Sequence, residues 1–144
     1  MQGIKSAISA LAVHPTETKL AIAGADGFIL LWDYMKKSDP IHNYENLKQE
    51  KNDKNQDFRY FTCMEFSSST NELLMAQYNG EIKVCDAETL TFKKLNSPLK
   101  VSETNPKAFA TQMVFSSDGK YFSVCDNMCS VLLFKHSHYQ NDPA

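Results

Sequence analysis

Hydrophobic and polar positions recur along the chain in three windows that align without a gap. The first window has apolar runs at 8–13, 19–24 and 26–33, with a polar turn at 14–18. The second has runs at 61–66, 72–77 and 79–86, with the turn at 67–71. The third has runs at 110–115, 120–125 and 130–135, with the turn at 116–119. Val13, Phe66 and Phe115 correspond, as do Leu20, Leu73 and Phe122, and then Trp32, Cys85 and Phe134. The register is constant, 53 residues from Val13 to Phe66 and 49 from Phe66 to Phe115. A repeat of this length has to be recognised before any motif, because it decides the architecture.

Each unit reads as three short strands. The runs are rich in Val, Ile, Leu and Phe and are separated by turn-forming residues. Asp26-Gly27 and Asn79-Gly80 supply the positive φ angles of a tight hairpin, and Asp126-Asn127 stands at the corresponding place in the third unit. The strands are apolar on both faces, the pattern of a sheet packed between two other sheets. This predicts an all-β chain organised as repeat 1 (4–35), a charged insertion loop (36–57), repeat 2 (58–96), a loop (97–107), repeat 3 (108–136) and a tail (137–144). The insertion balances Lys36, Lys37, Lys48, Lys51 and Lys54 against Asp39, Glu45, Glu50, Asp53 and Asp57. It reads as solvated, with a helical turn around residues 45–50. An outer strand is expected at 90–95, where polar and apolar residues alternate. The matching strand of repeat 1 has no clear candidate.

The chain of 144 residues suits one domain and can bury a real core. A formal net charge of −2 gives no electrostatic reason to bind nucleic acid or an anionic membrane. No apolar run approaches the roughly 20 residues of a membrane span. The residues after Met1 lack the basic-then-apolar pattern of a secretory signal, so an intracellular, cytoplasmic protein is expected. Cys63, Cys85, Cys125 and Cys129 then read as reduced, small, buried hydrophobes. Arg59 is the only arginine, which argues against a site built on bidentate forks.

Ala10-Leu11-Ala12-Val13-His14-Pro15, followed by residues 24–33 ending in Leu30-Leu31-Trp32-Asp33, resembles a WD repeat. Phe115-Ser116-Ser117-Asp118-Gly119-Lys120 resembles the same turn in the third unit. The resemblance implies a partial WD-repeat β-propeller, about three blades of a larger one, because propellers close with about 4 to 8 blades. It marks Asp26, Gly27, Trp32, Asp33, Asn79, Gly80, Cys85, Asp86 and Phe134 as the structural repeat positions. It also implies a scaffold whose partners are other protein subunits and the remaining propeller blades of a parent chain. The departures are clear. No unit has the family's His before the inner strand, Met128 stands at the turn position of repeat 3, and Trp32 gives way to Cys85 and Phe134. Residues 4–15 with Leu31-Trp32-Asp33-Tyr34 further resemble WD-repeat proteins of the ciliary axoneme found at the base of a radial spoke. That implies a structural axonemal subunit; an adaptor in ubiquitin transfer, trafficking or ribosome assembly is the alternative.

Catalytic and cofactor chemistry finds little support. His14 precedes Pro15 at a turn, His42 lies in the insertion, and Ser67, Ser68 and Ser69 lack the glycine flanks of a nucleophile elbow. No glycine-rich loop opens a helix to cradle phosphate. Cys125 and Cys129 followed by His136 and His138 invite a zinc reading. A strand at about 3.3 Å per residue between the two pairs separates them by on the order of 20 Å, so zinc is disfavoured and no cofactor is expected.

Overall fold

The computed structural model describes residues 6–36, 39–43, 60–95 and 97–136. Among them every regular element is a strand. The first sheet contains β1 (Ile8–Val13), β2 (Lys19–Gly24), β3 (Ile29–Asp33) and β4 (Ile41–Asn43) in that order. The second contains β5 (Phe61–Phe66), β6 (Glu72–Gln77), β7 (Glu81–Asp86) and β8 (Leu99–Lys100). The third contains β9 (Ala110–Phe115), β10 (Tyr121–Asp126) and β11 (Val131–Lys135). All pairings are antiparallel, so each unit is a meander.

The hairpins follow from their turn residues. Gly27 and Gly80 adopt φ of 86° and 87°, a region that costs a side-chain-bearing residue about 1–2 kcal/mol. The Asp26 and Asn79 Oδ1 atoms accept the backbone N–H of Phe28 and Glu81, closing each turn. In the third sheet this work moves two residues earlier. Asp126 Oδ1 accepts the N–H groups of Met128 and Ser130, so Met128 does not act as the turn residue its alignment suggests. Cys129 then carries the positive φ, 64°, that a glycine carries elsewhere.

A bulge interrupts the first strand of every sheet at the same place. It falls between Ile8 and Ala10, between Phe61 and Cys63, and opposite Cys125 and Asp126 in the third sheet. The residue skipped is Ser9, Thr62 or Thr111, and its hydroxyl donates to the carbonyl of Ala23, Ala76 or Cys125 on the neighbouring strand. The bulge thus has a polar fastener of its own. It leaves an extra residue without a ladder position, and the hydroxyl supplies a substitute bond to the strand beside it.

Neighbouring sheets meet chiefly through their first strands, β1 against β5 and β5 against β9. Sheets that converge at their inner strands radiate as blades do, and the three form a partial β-propeller. The central sheet is enclosed: every residue of β6 is buried. On one side Phe66, Leu73, Met75 and Cys85 pack against Ala10, Ala12, Ala21, Ala23, Ile29 and Leu31 of the first sheet. On its other side Leu74, Ala76, Ile82 and Val84 pack against Met113, Phe115, Phe122 and Val124 of the third. Small alanines on the first sheet make room for the phenylalanine and leucine that face them, which is how two rigid surfaces reach interior density.

The outer strands differ from expectation. Blade 1 takes its outer strand from Ile41–Asn43, inside the stretch expected to be a loop; residues 44–57, with the expected helical turn, lie outside the described residues. Blade 2 was expected to use 90–95. There the pairing with β7 is present but short, a bridge of Phe92 to Cys85 in which Asp86 N–H donates to the Thr91 carbonyl and Lys93 N–H to that of Val84, and the chain leaves the edge before returning as β8. Pro98, which has no N–H to donate, lies just before the return.

Candidate functional site

The repeat positions singled out by sequence divide by role. Asp33 Oδ1 accepts the N–H groups of Met35 and Lys36 and the hydroxyl of Thr18 at 2.6 Å. Asp86 Oδ1 accepts N–H bonds from Glu88 and Thr89. Both carboxyls lie below their ordinary value, Asp33 through the Thr18 hydroxyl first and Asp86 through the Thr89 and Glu88 amides. These are turn-fixing interactions. Cys85 is buried, while Phe134 is half-buried and stacks on Phe122 at 5.0 Å between ring centres. Gly80 is pressed against the next blade: a Cβ there would stand 2.6 Å from the Ala108 carbonyl oxygen.

The row that Trp32 occupies is covered to different extents in the three blades. The row Val13–Leu20–Trp32 corresponds to Phe66–Leu73–Cys85 and to Phe115–Phe122–Phe134. In blades 2 and 3 that row is covered by the preceding blade, leaving Phe66 2% and Phe122 0% exposed. In blade 1 nothing described covers it, and Val13 is 59% exposed. The opposite face mirrors this. Leu31 and Val84 are buried by the following blade, but the equivalent Leu133 is 72% exposed. Ile8 and Leu11 extend the first open face; Val114, Tyr121 and Val131 extend the second.

Polar clusters seal the two internal junctions, at positions that sequence reasoning did not single out. Lys19 of blade 1 is buried and reaches Glu88 of blade 2 at 2.5 Å and Glu17 at 2.6 Å. Burial opposes its charge, but the two carboxylates outweigh that and raise its pKa. Glu72, the equivalent residue of blade 2, is also buried. It binds Lys93 at 2.5 Å, the Thr70 hydroxyl at 2.9 Å and His136 of blade 3 at 3.0 Å. Here too burial opposes the charge, and the hydrogen bonds from Lys93, His136 and Thr70 prevail, holding the carboxyl below its usual range. The signal available in sequence was a charged residue opening the middle strand of both repeats.

The histidine–cysteine arrangement is not a shared site. His136 is buried against Phe115 and donates its backbone N–H to Lys120, one strand length from Cys129. It is a packing residue rather than the polar tail expected. His138 lies outside the described residues, and among those described no three His, Cys, Asp or Glu side chains group as metal ligands. The cysteines also depart from a uniform buried reading. Only Cys85 is buried; Cys63 and Cys125 are half-buried and Cys129 is exposed. Burial pushes the Cys63 thiol up to about 11. His14 packs on Phe66 at 5.0 Å while its Nδ1 accepts the Thr16 and Glu17 amides, a turn role. A shallow groove of about 270 Å³ opens where the outer strand of blade 2 is interrupted, floored by Ile82 and Val84 and rimmed by Lys83 and Lys94. Among the described residues no helix is long and apolar enough to cross a membrane.

The described residues therefore form a stack of radiating four- and three-stranded sheets with two apolar faces that no described residue covers. Residues 1–33 match the family model for the WD domain, G-beta repeat, and the three sheets are arranged as a partial β-propeller. A search of curated proteins found no match.

Proposed function

We propose that this chain is a non-enzymatic protein-interaction scaffold that engages its partners through the open faces of its end blades. WD repeats generally mediate protein–protein interaction, and their propellers are typically non-enzymatic. The observation that carries the reading is the contrast between equivalent positions. Leu133 is 72% exposed where Val84 is 1% exposed, and Val13 is 59% exposed where Phe66 is 2% exposed. Contiguous exposed apolar rows of this kind mark interaction surfaces. Among the described residues His14, Asp33 and Asp86 are engaged in turns, and Glu72 and His136 in a junction between blades.

The test is quantitative capture of bound proteins by the tagged chain, compared with Val13→Glu and Leu133→Glu. Both variants place charge at exposed positions and should keep the wild-type circular dichroism spectrum. Loss of the captured proteins supports the reading; capture unchanged in both variants contradicts it. The finer proposal is a cytoplasmic scaffold of the ciliary axoneme, which rests on the resemblance of residues 4–15 and 31–34. Tagged protein confined to the axoneme supports it, and soluble adaptor partners elsewhere in the cytoplasm favour the alternative adaptor role.

A further inference from the structure

We propose that Ser97 is a phosphorylation site, the acceptor for a protein kinase that reads a serine followed by proline and, two places further on, a lysine. The inference goes beyond the scaffold reading and does not depend on the faces of the end blades.

The sequence singles out one place. Of the five prolines in the chain, only Pro98 follows a serine or a threonine. Ser97-Pro98-Leu99-Lys100 then sets the acceptor, the proline and a basic side chain in one short register. Proline holds the residue before it in extended backbone, the shape in which a kinase cleft takes its substrate. It also has no N–H. A cleft with no acceptor at that point therefore admits proline and leaves the N–H of any other residue unpaired, which is a basis for selection.

The fold presents this segment to solvent. β8 is the outermost strand of the second sheet, so a partner reaches it from the rim without parting the blades. Leu99 pairs with Ile82 and Lys100 with Glu81, which keeps the stretch extended. Ser97, Pro98 and Lys100 are exposed, whereas Leu99, the position such a kinase does not read, is half-buried and anchors the edge. The Ser97 hydroxyl makes no hydrogen bond to a described residue. The serines of the blade 2 turn contrast with it. Ser67 is buried, Ser68 Oγ donates to the Ser116 carbonyl at 2.8 Å and Ser69 Oγ to that of Gly119 at 3.4 Å.

The surroundings suit the product as well. Pro98 and Leu99 wall the groove at this edge, which three lysines, Lys83, Lys93 and Lys94, line against one glutamate, Glu81. Lys93 is paired with Glu72 and Lys83 with Glu81, while Lys94 is exposed and in no ion pair with a described residue. A phosphoryl group brings about −1.5 to −2 charge at neutral pH, which neighbouring lysines offset through charge-assisted hydrogen bonds. In the transfer, Ser97 Oγ bonds to the γ-phosphorus of ATP as the bond from that phosphorus to the bridging oxygen breaks. ADP leaves, and the hydroxyl proton passes to the aspartate of the kinase's catalytic loop.

The folded 144-residue chain, incubated with magnesium ATP and a purified proline-directed serine/threonine kinase, tests the site by tandem mass spectrometry. The expected product carries one phosphate, on Ser97. Ser97→Ala should abolish incorporation. Lys100→Ala should lower kcat/KM by about tenfold while the circular dichroism spectrum stays that of the wild type. The chain isolated from its source cells with phosphatases inhibited should carry the same phosphopeptide. A folded chain left unphosphorylated at Ser97 overturns the proposal. So does incorporation that Ser97→Ala does not remove, or a cellular chain without phosphate at Ser97.

Discussion

Lys19 and Glu72 hold the same position in successive repeats, carry opposite charge, and each ties its own blade to the next. Lys19 reaches forward to Glu88 and Glu72 to His136. What recurs is the junction; the sign of the charge is exchanged because the partner is exchanged with it. Removing one member of such a buried pair leaves the others uncompensated. Glu72→Ala should lower the unfolding free energy by about 3 kcal/mol, read by urea titration. Glu17→Ala, whose carboxylate is half exposed, should change it by less than about 1 kcal/mol.

The same carboxyl gives a pH dependence. Glu72 is held below its ordinary value of 4.5, since the bonds from Lys93, His136 and Thr70 outweigh the opposing effect of burial. A carboxyl lowered on folding contributes stability that is complete above 4.5 and is lost as the pH falls through its folded value. The melting temperature of the wild type should therefore drop as pH is lowered beneath that point. Glu72→Gln should be less stable at pH 7 and show a shallower acid decline, measured by circular dichroism melts from pH 7 to 3.

Gly80 tests the packing of blade 2 on blade 3. Its φ of 87° already disfavours a side chain, and a Cβ would meet the Ala108 carbonyl at 2.6 Å, a backbone atom that cannot swing aside. Gly80→Ala should cost at least about 2 kcal/mol. Cys129 presents the inverse case, an exposed non-glycine at φ 64°. Cys129→Gly should stabilise by about 1 kcal/mol. Opposite shifts in urea midpoint check both.

The bulge fastener predicts a uniform, modest effect. Thr62→Val keeps the shape but removes the hydroxyl bond to the Ala76 carbonyl, and should cost about 1 kcal/mol. A loss above about 3 kcal/mol would mean that the hydroxyl does more than close the bulge.

The blades were legible because their signals are local. Alternating apolar runs and the Asp26-Gly27 and Asn79-Gly80 turns fix hairpins without reference to distant residues. Less legible were the outer strands: β4 is three residues long and sits beside charged sequence, and the 90–95 stretch pairs with β7 only over Thr91 to Lys93. The junction residues were hidden for a different reason. Nothing near Glu72 in sequence announces His136, 64 residues away, and a histidine just past the last strand reads as a tail until the blades are stacked. Exposure was the other gap. The repeat makes Val13 and Phe66 equivalent, yet which of them is covered depends on a neighbouring blade.

The enclosure of the middle blade is the claim on which the rest depends, and native thiols report it. Cys85 lies at 0% exposure in the row facing blade 1, whereas Cys129 sits exposed on a turn. Residue-resolved alkylation of the folded chain at pH 8 should modify Cys129 within minutes and Cys85 only at the rate of global unfolding. Comparable rates at Cys85 and Cys129 under native conditions would contradict the stacked-blade account.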